Sequence, residues 1–385
     1  MANTLTSLAA DIYKAADIVG REQVGLISSV LINDKGSEAV AVNDVVRSSF
    51  TRPVMTQVFV PAMMVPEGTD QIVDNKTLTI TKQKMVPIPY TGEDKKHLDN
   101  GIGFATVYGD QITQAIRAIV NEAEVDLYNE VLNNASRAVG VAGVNPFATN
   151  TDLIADARQV LLENGTPVMS AEMSIVSALA HGTALRKISS LQKVSESGNE
   201  SLLRNGVLLP LQGFNIKETS AALQHIRGNA NALYTSATTG FAVGTTVIPL
   251  ITGTGSILAG DVISFAGDSN KYVVAAGITA PGSVTLGGNG LRQALPASAQ
   301  LVTIQANYTG SIALHRNSAE IVMRPVAGVG IGKDACTDAM MIQDPFSGLN
   351  FTVATYLGFG KQLIVVSAAW GVKCWKGDFV ATILG

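Results

Sequence analysis

Apolar side chains recur at helical spacing in several stretches of this chain, which predicts amphipathic helices there. The longest stretch, residues 109–137, predicts a helix of roughly 40 Å at about 1.5 Å per residue. An N-terminal stretch at 4–19 and a shorter one at 24–31 predict two more helices. A further helix is expected just after Asn150 and Thr151, because either residue can cap it.

Strand-like alternation appears in the first hundred residues and again near the C-terminus. Residues 77–81 alternate apolar and polar side chains, and 85–90 follow with two prolines. Because proline interrupts a ladder, we expect this pair of strands at a sheet edge or as a projecting hairpin over 66–92 that a neighbouring molecule covers. The C-terminal strands are expected at 351–356, 363–372 and 380–384, the first two as a long hairpin.

The pattern changes between residues 222 and 307, where short Val, Ile and Thr runs are separated by glycine-rich turns. Strands spaced roughly 8–12 residues apart with turn residues between them are typical of a small barrel or sandwich. The flanking segments 151–220 and 309–327 mix helix and strand patterns, so the sequence predicts a β-only module inserted into an α/β lobe. The strand-like runs of the module are Thr245–Leu250, Val262–Ala266, Lys271–Ala275, Ser283–Leu286 and Gln300–Ile304.

The composition is unusually apolar. Hydrophobic residues make up 46% of the chain, charged residues only 15%, and the mean hydropathy is +0.26, whereas soluble domains carry about 25% charged residues. No apolar run reaches the roughly 18 residues that a membrane-spanning helix needs, and the N-terminus lacks the pattern of a signal peptide. The composition therefore favours a surface that other protein molecules cover. Without an export signal, Cys336 and Cys374 are expected to be reduced thiols.

The net charge of −4 argues against direct condensation of nucleic acid. A protein that neutralises phosphates with its own side chains carries a basic arm or stripe, whereas lysine and arginine are scattered along this sequence. The charge balance argues against a coat protein with a basic tail and against a DNA-binding regulator.

No pattern for catalysis, metal binding or cofactor binding is found in the sequence. His97, His181, His225 and His315 are each distant in sequence from cysteines and paired carboxylates, and are expected at or near the surface, His315 being the one expected to be buried and hydrogen-bonded. The run Gly328–Lys333 departs from the phosphate-loop pattern, because Ala327 and Asp334 occupy positions that require Gly and Ser or Thr. We therefore expect a chain that is not an enzyme and has no cofactor.

An ordered set of segments carries a resemblance to a known family. They are Gly213–Ser220, Gly260–Asp268, Ile312–Asn317 with Met323–Pro325, Asp344–Gly358 and Ala369–Trp375. In this order, with the long helix, the chain resembles the major capsid proteins of tailed bacteriophages, of the Hong Kong ninety-seven type with an insertion domain. The resemblance implies an α+β fold with an N-terminal arm, an extended loop, a long spine helix, peripheral and axial domains, and an inserted small β-barrel.

The resemblance also implies a division of the chain and a function. The implied domains are an arm at 1–40, an extended hairpin loop and flanks at 41–100, a spine helix at 101–150, an axial domain at 151–221 and 308–340, a barrel at 222–307, and peripheral C-terminal strands at 341–385. Many copies would assemble in the bacterial cytoplasm into the hexamers and pentamers of an icosahedral virion shell. The implied partners are a scaffolding protein, a portal and enclosed double-stranded DNA, and the implied course is a precursor shell that later matures.

Two groups of charged residues are candidate contacts. Asp11 and Asp17, on the predicted arm helix, are expected to meet a basic scaffolding partner. The densest cluster of charges, which we call the charge patch, is expected to be either a solvated turn or a set of ion pairs between subunits. The charge patch consists of Glu93, Asp94, Lys95, Lys96 and Asp99.

Two other functions remain open from the sequence. A nanocompartment or a domesticated prophage shell would share the fold. A virion decoration or receptor-binding protein would use the barrel for binding, although a barrel embedded in a larger α/β body argues against it.

Overall fold

The computed structural model describes most of the chain and confirms the α+β class. The described residues are 12, 15, 19–33, 39–49, 58–61, 63–64, 75–99, 104–167, 172–193, 202, 205–208, 210–235, 239–327 and 336–385. Within this part the α-helices are α1 (Gly92–Asp99), α2 (Phe104–Asn133), α3 (Asp152–Glu163), α4 (Leu179–Lys187) and α5 (Ser189–Gln192). Short 3-10 helices are Ile27–Ser29, Arg316–Ser318 and Gly377–Phe379. None of the described helices is both long and apolar enough to cross a membrane.

Strands dominate the rest of the described chain. The first eleven are β1 (Leu31–Asn33), β2 (Val45–Ser49), β3 (Asn75–Thr79), β4 (Lys82–Thr91), β5 (Arg137–Gly140), β6 (Met173–Ala178), β7 (Asn215–Thr219), β8 (Gln224–His225), β9 (Asn231–Thr235), β10 (Val247–Thr254) and β11 (Ser256–Ile257). The others are β12 (Val262–Phe265), β13 (Lys271–Ala276), β14 (Ile278–Thr279), β15 (Gly282–Leu286), β16 (Leu301–Ile304), β17 (Tyr308–His315), β18 (Ala319–Arg324), β19 (Asp338–Gln343), β20 (Asn350–Gly358), β21 (Lys361–Cys374) and β22 (Val380–Leu384).

The long helix α2 packs against one large core. It spans 30 residues, begins five positions before the predicted 109–137 and ends at Asn133. It ends early because residues 137–140 are drawn into β5, which pairs with β22. The helix predicted at 24–31 is also wrong: the segment forms a 3-10 turn and then β1, which pairs with β18. In both places a long-range ladder outweighs local helical spacing.

A six-stranded sheet is built around the C-terminal hairpin. The predicted hairpin is confirmed as β20 and β21. One edge of β21 pairs with β4 along ten residues, and the other edge pairs with β20 and then β18. The two prolines of β4 are tolerated because this strand lies at the sheet edge, as the sequence predicted.

The predicted pairing of 77–81 with 85–90 is wrong. Strand β3 pairs antiparallel with β2, while β4 joins the six-stranded sheet. The reason is the position of Ile80, between the two predicted strands. A projecting hairpin would expose its turn to solvent, whereas Ile80 is fully buried in the body. The ribbon therefore pairs residues 45–49 of β2 with residues 75–79 of β3.

A second sheet joins the α/β lobe to a barrel. The lobe contributes β5, β22, β17, β6 and β7 in this spatial order. The inserted module is a closed ring of six strands in the order β12, β16, β9, β10, β15 and β13, with β13 returning to β12. The prediction of an inserted small barrel is confirmed, and strand β13 also pairs with β5 of the lobe.

The hydrophobic cores follow the same division. The largest surrounds α2 and the six-stranded sheet. The lobe has its own core around α3 and β6, and the barrel has a separate one that includes Phe265, Tyr272 and Val284.

Candidate inter-subunit surfaces

The charge patch lies on α1, beside the tip of the C-terminal hairpin. Glu93, Asp94 and Lys96 are exposed and Lys95 is half-buried. Thr91 and Asp94 form a reciprocal cap: Asp94 N donates to Thr91 Oγ1 at 3.2 Å, and Thr91 N donates to Asp94 Oδ2 at 3.1 Å. Asp94 thus has a structural role at the helix start. The inter-subunit role of this patch stays a prediction.

Three of the predicted site residues lie, entirely or with their side chain, outside the described part of the structure. Asp11 and Asp17 lie outside the described residues, and so does the side chain of Asp99. Their scaffold-contact and ion-pair roles therefore stay predictions.

Beside the charge patch, the tip of the β20–β21 hairpin exposes large apolar side chains. Phe359 is fully exposed and Leu357 is 60% exposed. Gly92 N donates to Gly360 O at 3.2 Å, which ties the start of α1 to this tip. One end of the six-stranded sheet therefore presents an apolar tip next to a charged helix.

The segment between β2 and β3 exposes a second group of apolar side chains. The exposed residues are Val58, Phe59, Val60, Met63 and Met64, which are 65% to 107% exposed. We call them the ribbon residues. Exposed apolar groups this concentrated usually mark a contact with another protein. The sequence did not predict these residues as a contact surface, although Val58, Phe59 and Val60 are consecutive.

An open apolar cleft lies between β4 and α2. Its volume is about 450 Å³, and its walls include Val86, Ile88, Pro89, Ala115 and Ala118. The cleft is a concave, mainly apolar surface on the body.

The chain near residues 21–30 is fastened to α2 by a buried carboxylate. Glu124 is 1% exposed and accepts hydrogen bonds from the backbone N–H groups of Gly25, Leu26 and Ile27 at 3.0, 2.8 and 2.9 Å. Thr219 Oγ1 of β7 donates to the same carboxylate at 2.8 Å. Burial raises the pKa of Glu124, and the four hydrogen bonds oppose that rise. Glu124 thereby joins the N-terminal segment, the long helix and the lobe.

Ion pairs hold the same segment on both sides. Glu22 pairs with Arg117 and accepts from Asn121 Nδ2 at 2.6 Å, and these hydrogen bonds lower the pKa of Glu22 to about 2. Arg21 lies 2.7 Å from the buried carboxylate of Asp344. Arg21 and Glu22 are thus both held to the body.

Two attachments hold the barrel to the body. At the first, β8 pairs with β17 of the lobe, and His225 of β8 has Nε2 2.9 Å from the buried Asp261 of the barrel, which also accepts from Gly228 N at 3.0 Å. At the second, the buried Arg137 of β5 lies 2.7 Å from Glu163 of α3 and donates to Asn270 Oδ1 of the barrel at 3.1 Å.

The three histidines whose side chains the structure describes, His181, His225 and His315, do not gather into a site. His315 is fully buried and accepts from Asn317 N at 3.2 Å, as predicted, and burial lowers its pKa. The expectation of a surface position is wrong for His181, which lies on the buried face of α4, is 3% exposed and has Nδ1 2.7 Å from Ser311 Oγ. Among the described residues no three metal-binding side chains converge. Residues 328–333 lie outside the described part.

Comparisons with known proteins give structural similarities only. No family model and no curated protein match the chain. Similar solved structures include the capsid of the Cyanophage P-SCSP1u (TM-score 0.46, 8% identity, 95% of this chain and 89% of that chain) and a Mycobacterium phage Che8 structure (0.43, 13%, 96% and 90%). A virus-like particle from Pyrococcus furiosus is also similar (0.43, 9%, 98% and 98%). At TM-scores below 0.5 these similarities carry no argument about function.

Proposed function

We propose that this chain is a major capsid protein that assembles in many copies into a closed shell, the virion capsid of a tailed bacteriophage. The observation that carries the proposal is the exposure of the ribbon residues. Leaving five large apolar side chains in water is unfavourable, at about 25 cal/mol per Å² of apolar surface, and contact with another subunit removes that surface from water.

The low charge of the chain supports the same proposal. Only 15% of the residues are charged, and the surfaces that expose apolar side chains include the ribbon residues and the hairpin tip. A subunit with several contact surfaces can be held by several neighbours at once, so weak individual contacts add up to a stable closed lattice.

The finer parts of the proposal come from the family resemblance. Double-stranded DNA would be enclosed by a wall that does not grip it, which suits the scattered basic residues. A scaffolding protein would bind through Asp11 and Asp17, a portal would occupy one vertex, the charge patch would contribute ion pairs between subunits, and the chain would carry out no catalysis. Assembly would take place in the host cytoplasm and pass through a precursor shell.

The domain boundaries also belong to this proposal. We propose an arm at 1–40, an extended loop at 41–100, a spine-helix region at 101–150, axial parts at 151–221 and 308–340, a barrel at 222–307 and peripheral strands at 341–385. The separate hydrophobic core of the barrel supports the central boundary.

The test is light scattering with negative-stain electron microscopy on the purified full chain. We expect closed shells of uniform size, or spirals and sheets where a partner controls curvature. Phe59→Ser should reduce assembly, because it removes the aromatic side chain among the ribbon residues. The control Thr279→Ser, at an exposed position of β14, should leave assembly unchanged. A stable wild-type monomer under all conditions would contradict the proposal.

A further inference from the structure

The barrel has a side that lies opposite the strand pairing it with the body, and strand β9 lies at its centre. The barrel is a ring of six strands, and β13 is the strand that pairs with β5 of the body. Counting three strands in either direction around the ring from β13 leads to β9. Strand β9, with its neighbours β10 and β16, therefore forms the wall opposite β13, the strand that pairs with β5 of the body.

That wall carries apolar side chains pointing outward. On β10, Ile248 and Leu250 point inward and are buried, while Val247, Pro249 and Ile251 alternate with them and are exposed. On the neighbouring strands, Tyr234 is paired with Leu301, and the two side chains are 38% and 42% exposed. We call the set Tyr234, Val247, Pro249, Ile251 and Leu301 the distal face.

The barrel, residues 222–307, contains five charged residues, and none of them belongs to the distal face. Arg227 precedes β9 in the chain, and its Nη1 donates to Ile304 O at the end of β16, 3.5 Å away. The others are Asp261, Asp268, Lys271 and Arg292. Asp261 belongs to the attachment at His225, Lys271 Nζ donates to Gly140 O, and Arg292 Nε lies 3.6 Å from Glu163. Asp268 accepts from Tyr272, the residue paired with Arg137 of β5.

We propose that the distal face docks on the distal face of a second copy of this chain. In a contact between two identical surfaces, each charged residue near the axis meets its own like charge, and such pairs are strongly unfavourable. A face without charge avoids that repulsion entirely. The apolar character and the central tyrosine also match the core of protein interfaces, which is depleted in charge and enriched in aromatic residues.

This inference rests on the proposed function and adds to it one specific contact between subunits. Because both partners present the same neutral surface, the contact needs no other protein. A single face is small, so the contact is expected to be weak in free subunits and effective when many copies are held in one lattice.

The test uses opposite charges at one position of the full chain. We expect Leu301→Lys and Leu301→Glu each to raise the protein concentration needed for assembly at least about tenfold, because like charges then face each other. An equimolar mixture of the two variants should recover assembly, since Lys then faces Glu. Sedimentation velocity measures all three samples. Tyr234→Lys and Tyr234→Glu give an independent pair, and Thr279→Lys, exposed outside the face, is the control.

Each outcome decides the inference. If the single variants assemble like the wild type, the face is uncovered and the inference is wrong. If they fail and their mixture also fails, the face meets a different partner, which again overturns it. If the wild type forms no shell, the proposed function fails, and dimerisation is measured in place of assembly. Loss of dimers in each single variant and their recovery in the mixture would still support the inference.

Discussion

At the scale of single residues, Glu124 connects three segments that are distant in sequence. It is 1% exposed and accepts from three consecutive backbone amides and from Thr219. Gly25 is required at the first of these amides, because a Cβ there would overlap the carbonyl oxygen of Glu218. A single carboxylate thus connects segments about a hundred residues apart.

Glu124→Gln should loosen the N-terminal segment while leaving the fold intact. The amide group keeps one acceptor oxygen but turns an NH2 group towards a backbone N–H donor, and charge-assisted hydrogen bonds are lost. We expect the free energy of unfolding to fall by about 2 kcal/mol. Amide hydrogen exchange should become faster at Gly25, Leu26 and Ile27.

The control for this prediction is Glu122→Gln on the same helix. The side chain of Glu122 is 36% exposed and pairs with Lys82 at 3.2 Å, so its loss should change stability by less than about 1 kcal/mol. Unchanged exchange at the three amides in Glu124→Gln would show that the carboxylate does not hold this segment.

The sequence contained a signal for Glu124 that helical spacing alone did not bring out. Val120 and Tyr128 lie four residues before and after it, and both are buried. A carboxylate between two apolar residues at that spacing lies on the buried face of a helix. Its partners, however, are backbone amides, and nothing in the side-chain pattern of residues 25–27 indicates that their N–H groups point at a helix.

At the scale of elements, β5 connects the barrel to the lobe. This four-residue strand pairs with β22 of the lobe on one side and with β13 of the barrel on the other. Arg137 reinforces that junction, because its guanidinium reaches Glu163 of α3 and Asn270 of the barrel at once. The arginine is 5% exposed, so its partners replace the water it has lost.

Arg137→Met should weaken the attachment of the barrel. Methionine fills a similar volume but leaves Asn270 and Glu163 without their common partner, and we expect a loss of about 2 kcal/mol in the free energy of unfolding. Amide exchange at Lys271 and Tyr272, which pair with β5, should become faster, while exchange in the barrel core stays slow. Mass spectrometry of exchanged peptides would measure both.

Arg292→Met is the matched control. Arg292 also approaches Glu163, at 3.6 Å, but its side chain is 51% exposed. Its loss should change the free energy of unfolding by less than about 1 kcal/mol. If the two substitutions lowered the free energy of unfolding equally, Arg137 would stabilise the protein only through its ion pair with Glu163, and not through its link to the barrel.

The sequence pattern predicted correctly those strands that pair with a strand close to them in the chain. The hairpin β20–β21 and most barrel strands were predicted because alternation and turn residues coincide there. Strand β9 was missed because its pairing with β10 shifts register twice and Ala232 has a φ of 52°. The pairing of β3 was predicted wrongly because its partner β2 lies thirty residues earlier and is selected by the burial of Ile80, which no local pattern reveals.

At the scale of the whole molecule, the surfaces proposed for contact are mainly uncharged. The ribbon residues, the hairpin tip and the distal face all expose apolar side chains, whereas the charge patch is the principal charged candidate. The two kinds of contact respond differently to salt. Ion pairs weaken as screening increases, while apolar contacts do not.

Assembly of the wild-type chain should therefore change by less than about twofold when NaCl is raised from about 0.1 M to about 1 M, although the screening length falls from about 10 Å to about 3 Å. Light scattering at several protein concentrations would measure this. Leu301→Lys should behave in the opposite way: added salt screens the repulsion between two lysines, so its assembly should partly recover. A wild type that disassembles in salt would mean that the charge patch dominates the contacts. A lysine variant that salt does not help would mean that residue 301 does not face its own copy.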